Sequence, residues 1–353
     1  MVVPLILAIV VISVEASDRK VIQAEEIQDM VARGYEVSLS DAVIVGYLNL
    51  SEINTVDLPM SFIKCSIEGD INCSNIVFKK PVTFSQTDFK GSADFNYAYF
   101  ENGADFSRAN FNDAAYFYKA TFGTFSSFAY AIFGSNSDFE KTWFGPFSSF
   151  YGTTFRDDVN FAGAKFSIAM FSWATFEKNA NFEKGEFGKD VTFTNTTFKG
   201  YVSGWSALEK GDFDDVTHLT LIQNLKIHGQ FNDADNCYYA YRNGRISSII
   251  DLIALISCGF GVRPTRTLLL SLILIGVFAY AYTYSNGVHK PKGFISLTLP
   301  DALYFSVLVF FVALPPPAWE VKDRWRYVIM AEDILGWFLT TLFIVTLGNV
   351  MIR

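Results

Sequence analysis

The chain has 353 residues and a formal net charge of −8; half of it is hydrophobic, 18% is charged, and the mean hydropathy is +0.23. This excludes a disordered chain and argues against an ordinary soluble enzyme. The acidic balance, with no dense Lys/Arg block, argues against a nucleic-acid partner. Four scattered cysteines (Cys65, Cys73, Cys237, Cys258) and three histidines predict no disulfide framework, no metal site, no cofactor and no hydrolytic chemistry.

Residues 1–14 carry no charged side chain, and Glu15-Ala16-Ser17 follows. Fourteen helical residues reach roughly 21 Å, short for a bilayer. Residues 1–17 therefore read as a signal peptide or a hydrophobic anchor, with a buried cap segment as a third reading. Residues 18–42 read as an N-terminal helical cap. Its apolar stripe is Ile22, Ile27, Met30 and Val31, and Gly34 stands where a helix would stop.

The strongest signal follows. Phe occupies positions 84, 89, 95, 100, 106, 111, 117, 122, 128, 133, 139, 144, 150, 155, 161, 166, 171, 176, 182, 187, 193 and 198. The gaps alternate 5 and 6, with one slip where three fives run together between Phe161 and Phe176. Two residues before each Phe the side chain is small: Ala in half the cases, otherwise Ser, Thr, Val or Gly185. A period of 5 to 6 fits neither a helix at 3.6 nor a flat strand at 2. It fits a chain that turns a corner every five or six residues, stacking one large and one small inward column. Four such sides make a coil of 22 residues.

The units Ala93-Asp94-Phe95 and Ala104-Asp105-Phe106 resemble the pentapeptide-repeat family. That resemblance implies a right-handed quadrilateral parallel β-helix. Its expected extent is 43–232, about 7 coils and roughly 35 Å. The ladder extends upstream through Val56, Phe62, Ile67, Cys73 and Phe78 and decays downstream through Trp205, Phe213 and Leu219. Asp88, Asp94, Asp105 and Asp138 are expected to point outward as a solvated face, with cation binding near a pore mouth as the alternative reading. His218 and His228 read as surface histidines. Asn49, Asn72 and Asn195 open glycosylation sequons, relevant only to an external solenoid.

Residues 233–264 are expected to hold connecting and interfacial helices, the second being Ile246 to Cys258. Cys258-Gly259-Phe260-Gly261 looks like a filter triplet, but its place before a long apolar span makes it a helix end. A marginal third crossing by Ile246–Val262 is the alternative.

Residues 265–353 read as a membrane module. Thr267–Val288 and Ile334–Ile352 lack charged side chains and are long enough to span. Between them Asp301 to Ala313 predicts a short helix, stopped by Pro315-Pro316-Pro317. Span, short helix, irregular segment, span is the layout of a tetrameric cation-channel pore. Asp301 to Leu308 resembles the pore helix of the two-transmembrane potassium-channel family, and Ala331 to Trp337 resembles the start of its inner helix.

The resemblance implies an α-helical transmembrane pore module in a homotetramer that passes monovalent cations. It puts the filter region on Val312, Ala313, Leu314, Pro315, Pro316 and Pro317, and the inner-helix hinge on Gly336 and Gly348. Both filter glycines are missing, so a potassium-selective carbonyl ladder is not expected. The expected function is a multi-pass cell-membrane channel subunit, poorly potassium-selective, with a β-helix sensor or scaffold of unknown partner leaning to the extracytoplasmic side. The alternative is a non-conducting, membrane-anchored β-helix scaffold.

Overall fold

A computed structural model describes residues 19–285, 287–290, 297–312 and 319–351. The expected signal or anchor, 1–17, lies outside the described residues. The chain divides into two compact units, one ending at Cys237 and the other running from Tyr238.

The first unit is a parallel β-solenoid of about 8 turns over residues 20–203, with strands on four faces. Each short strand pairs with the strand one coil later, as in Phe89↔Phe111, Phe111↔Phe133 and Phe133↔Phe155. Every ladder Phe from 84 to 193 is buried, and so are Val56, Phe62, Ile67, Cys73 and Phe78 upstream. Rings of one column stack in parallel, Phe95 on Phe117 at 5.2 Å and Phe150 on Phe171 at 4.6 Å. Neighbouring columns meet edge to face, as Phe128 meets Phe139 at 5.7 Å. The small residues that precede each Phe leave room for this second set of rings.

The slip in the ladder has a local answer. Lys165–Met170 is one continuous strand, because the missing residue removes a corner. The strand above it, Glu186–Thr192, keeps the extra residue as a bulge opposite Phe166 and Ile168.

A second ladder lies at the corners. Lys64, Asn75, Gln86, Tyr97, Arg108, Lys119, Tyr130 and Lys141 recur every eleven residues, all with positive φ. Left-handed backbone costs a non-glycine residue roughly 1–2 kcal/mol. Each of these N–H groups, however, donates to the next coil: Tyr97 to the Tyr118 carbonyl at 2.9 Å, Lys119 to Glu140 at 2.9 Å, Tyr130 to Tyr151 at 2.8 Å. The residue types share no chemistry, so no sequence pattern announces this ladder.

The outward acidic positions are more than a solvated face. Asp94 accepts from the Asn96 N–H at 2.8 Å and Asp138 from the Glu140 N–H at 2.9 Å. Asn160 and Asn181 do the same one and two coils on, and the Asn160 amide donates to Asp138 at 3.1 Å. These side chains close the corners and bond to one another. Burial raises the Asp138 carboxyl above the usual carboxylate range. A shallow cavity of about 310 Å³ lies on this face between Tyr116 and Tyr201.

Both solenoid boundaries differ from the expected 43–232. At the start, Lys20–Gln23 is a strand paired with Ala42–Val45, so the first coil forms before the expected cap ends. Val21-Ile22 is too short a β-branched run to be told from a helix stripe. Helix α1, Ala24–Ala32, is an insertion in this coil rather than a cap outside it. At the other end the last strand is Val202–Ser203. Helix α2, Trp205–Leu208, and α3, Asp215–Ile227, follow.

Asn224 of α3 donates to the carbonyls of Phe198 and Gly200, and Gln230 to that of Val202 at 2.8 Å, covering the open sheet edge. Phe213 still stacks on Phe193 at 4.8 Å, but Leu219 faces outward on α3 and is no rung. His218 is buried against Phe213 and Trp205 rather than on the surface. Helix α4, Phe231–Asn243, runs into the second unit.

The second unit is helical, with α5 at Ile249–Cys258, α6 at Pro264–Ser285, α7 at Leu299–Val312 and α8 at Asp323–Met351. A Ser248–Asp251 capping box starts α5. The Ser248 hydroxyl, the Ser247 N–H and Arg242 hold the Asp251 carboxyl below the usual range. Gly259, Phe260 and Gly261 all have positive φ and end α5, with the Phe260 N–H returning to the Ala254 carbonyl at 3.1 Å. The filter-like triplet is therefore a helix terminator. Arg266 then bonds the Leu255 carbonyl and the Tyr239 hydroxyl, both at 2.9 Å, fastening α4, α5 and α6 together.

Helix α6 starts and stops three residues before the expected span, because Val288–His289 pairs antiparallel with Glu320–Val321 instead of continuing the helix. Helix α8 begins eleven residues before the expected Ile334, its first turns being charged.

Candidate functional site

The second unit's core forms where α6, α7 and α8 meet. Ala279, Tyr282, Ala302, Phe305 and Val309 are buried there, and Ile275, Phe310 and Leu339 continue the core. Contacts set the directions. Tyr282 meets Phe305 at 5.3 Å and the Ile275 carbonyl meets Ser306, so α7 runs antiparallel to α6. Ser306 faces Glu332 and Phe310 faces Gly336, so α7 runs parallel to α8.

The strand pair joins the end of α6 to the start of α8. From that level α7 runs in as far as Gly336. Trp319, seven residues after Val312, stacks on Phe305 at 5.2 Å. The chain thus enters between two longer helices and is back near its entry level before α8 begins.

At the centre lies Glu332, fully buried. The Tyr282 hydroxyl donates to its Oε2 at 2.5 Å. The Ser306 hydroxyl lies against Oε1 and also against the Ile275 carbonyl at 3.1 Å. Among the described residues no Lys, Arg or His pairs with it. A buried charge without a partner is costly, so this carboxyl is the chemical anomaly of the unit. At the entrance to α7, Asp301 accepts from Thr298 and pairs with Lys290.

The residues named from the sequence fall out unevenly. Val312 is the exposed last residue of α7. Ala313, Leu314, Pro315, Pro316 and Pro317 lie outside the described residues. Gly336 sits on the α7 backbone: a Cβ there would collide with the Phe310 carbonyl oxygen. A Cβ at Gly348 would meet nothing within 4 Å. Helix α8 continues through both glycines. Ser306 and Glu332 fall inside the stretches that resemble a pore helix and an inner helix, but no site role is expected of them, and Tyr282, expected with Tyr280 and Tyr284 at a membrane interface, is instead fully buried. An acidic residue within a largely apolar helix was the available signal; its partners lie 50 and 26 residues away.

Residues 95–143 match the family model of pentapeptide repeats, in 9 copies. The solenoid is thus a pentapeptide-repeat structure, as its corner spacing implies. No curated protein matches the chain. Among the described residues, helices α6 and α8 are long and apolar enough to be candidate membrane-spanning helices.

Proposed function

We propose that the chain is a subunit of a membrane cation channel in which the pentapeptide-repeat solenoid serves as a sensor or scaffold and α6, α7 and α8 form a pore module. The observation that carries this reading is the helix of 14 residues, too short to span, that packs against two helices of spanning length. Burial supports the membrane assignment: 28% and 17% of the most apolar stretches of α6 and α8 are covered, where the core helix of a soluble protein is mostly buried. Leu269, Leu272, Ile273, Trp337 and Ile344 face outward.

One chain supplies one re-entrant segment, so the pore needs several copies around an axis, most simply a homotetramer. The sequence Val312–Pro317 holds no filter glycine and only apolar residues, and the proposed channel accordingly selects weakly among monovalent cations. The chain is read as a multi-pass cell-membrane protein with the solenoid on the extracytoplasmic side. No enzymatic step and no cofactor enter this reading.

The test is reconstitution into liposomes. Near-equal sodium and potassium flux is expected, increased by Leu314→Ser, which wets the pore. Strong potassium selectivity overturns the filter assignment. A monodisperse monomer in mild detergent overturns the pore. Absence of flux from both the parent and the Leu314 variant favours a membrane-anchored scaffold.

A further inference from the structure

We propose that Glu332 is a proton-binding site within the three-helix packing, and that it carries its proton whenever α7 is seated. A count of the hydrogens supports it. Three contacts converge: Tyr282 Oη with Glu332 Oε2 at 2.5 Å, Ser306 Oγ with Glu332 Oε1, and Ser306 Oγ with the Ile275 carbonyl at 3.1 Å. Tyr282 supplies one hydrogen and Ser306 one; a carboxylate supplies none. With Glu332 ionised, one Ser306 contact sets two acceptors face to face. With Glu332 protonated, its O–H donates to Ser306 Oγ, Ser306 donates to the Ile275 carbonyl, and Tyr282 donates to the other carboxyl oxygen. Every buried group is then satisfied.

Among the described residues the surroundings supply no counter-charge. From α6 the titratable group facing Glu332 is Tyr282. From α7 none faces it, since Asp301 is engaged with Lys290 and Thr298 at the helix start. On α8 itself Asp333 is adjacent and half-buried. Helix α5, which also touches α8, brings Cys258 and Asp251, the latter paired with Arg242 at 2.7 Å.

Ionisation releases the proton to water, removes the hydrogen that one Ser306 contact needs, and leaves a charge in the dry core. The remedy is to part α7 from α8 and hydrate the carboxylate. The seated state binds more protons than the parted one, so seating weakens as pH rises. The inference concerns the same three helices as the channel reading but does not require conduction.

The experiment uses the full chain in phosphatidylcholine vesicles. Infrared spectra above about pH 6, where exposed carboxyls are ionised, should show a protonated-carboxyl stretch in the parent and none in Glu332→Gln. The amide of Gln still donates to Ser306 and accepts from Tyr282, so this variant keeps the packing. Hydrogen exchange of the α7 amides, corrected for base catalysis, should report an opening constant that rises with pH by up to about tenfold per unit in the parent and stays flat in Glu332→Gln. A parent without the stretch, or an equal slope in both proteins, overturns the proposal. If stretch and slope hold but no ion flux is found, the channel reading fails and the proton site stands.

Discussion

In the solenoid each interior contact recurs. A Phe ring lies 4.6–5.3 Å from the ring one coil away, and the same face repeats it coil after coil. Among α6, α7 and α8 each decisive contact occurs once: one buried carboxyl, one tyrosine, one glycine against one carbonyl. A repeated interior draws its strength from area and registers errors as bulges, as at Phe166. A single-copy interior depends on polar satisfaction and close approach, and has no neighbour with which to share a fault.

Truncating a repeated contact should give the largest loss. Phe128 is fully buried between Phe106 and Phe150, at 5.1 and 5.0 Å. Phe128→Ala is expected to cost about 3–5 kcal/mol, read by urea denaturation followed by circular dichroism. A loss below about 1 kcal/mol would mean that the columns close over the gap and that repetition buffers damage.

The glycines of α8 sharpen the single-copy side, because the same substitution should act in opposite directions. Gly336→Ala forces α8 off the Phe310 carbonyl and should cost about 1–3 kcal/mol. Gly348→Ala meets open space and should add up to about 1 kcal/mol by helix propensity. Thermal melts in detergent compare the two, and equal effects would deny the close crossing.

Smaller is the effect of a buried hydroxyl within the repeat. The Thr142 hydroxyl donates to the Phe117 carbonyl at 2.6 Å, which also accepts from the Ala120 N–H. Thr142→Val should cost about 1 kcal/mol, since no acceptor is stranded. The corresponding exchange at Ser306 in the helical unit removes the hydroxyl between Glu332 Oε1 and the Ile275 carbonyl of α6 and leaves Tyr282 as the remaining bond to the carboxyl, so a larger loss there than at Thr142 would mark the difference between the two interiors.

The smallest effect is at Asp138, whose half-buried carboxyl is raised by desolvation. An acid with a raised folded value favours the native state at low pH and loses that advantage as pH climbs through the folded value. Asp138→Asn keeps the acceptor for the Glu140 N–H and matches Asn160 and Asn181 in the same column. It should stabilise by up to about 0.5 kcal/mol at neutral pH and by nothing below about pH 4, measured by melts across pH. A destabilised Asn variant at neutral pH would assign the charge a structural role.

Much of the solenoid is legible in the chain: both inward columns, the 22-residue coil and the position of the slip. Its ends are not, since Lys20–Gln23 pairs as a strand only because Ala42–Val45 lies beneath it. The left-handed corners escape for a related reason. They are imposed by hydrogen bonds between coils and leave residue type free. In the helical unit, the lengths of α6 and α7 and the helix end at Gly259 follow from apolar runs, Pro and Gly. The carboxyl at their centre does not, and neither does the close approach of Gly336, one of the two glycines read as the hinge, to the Phe310 carbonyl.

What the sequence alone determines here is whatever a local period can encode. A ladder Phe meets its counterpart 21 or 22 places on, so one repeating rule specifies nearly every buried ring. What only the tertiary structure decides is the depth at which separate helices align. Tyr282 and Glu332 are 50 residues apart, Ser306 and Glu332 are 26, and no period relates those spacings. They meet because Gly336 lets α7 approach α8 closely enough to bring two hydroxyls and one carboxyl into a single dry site.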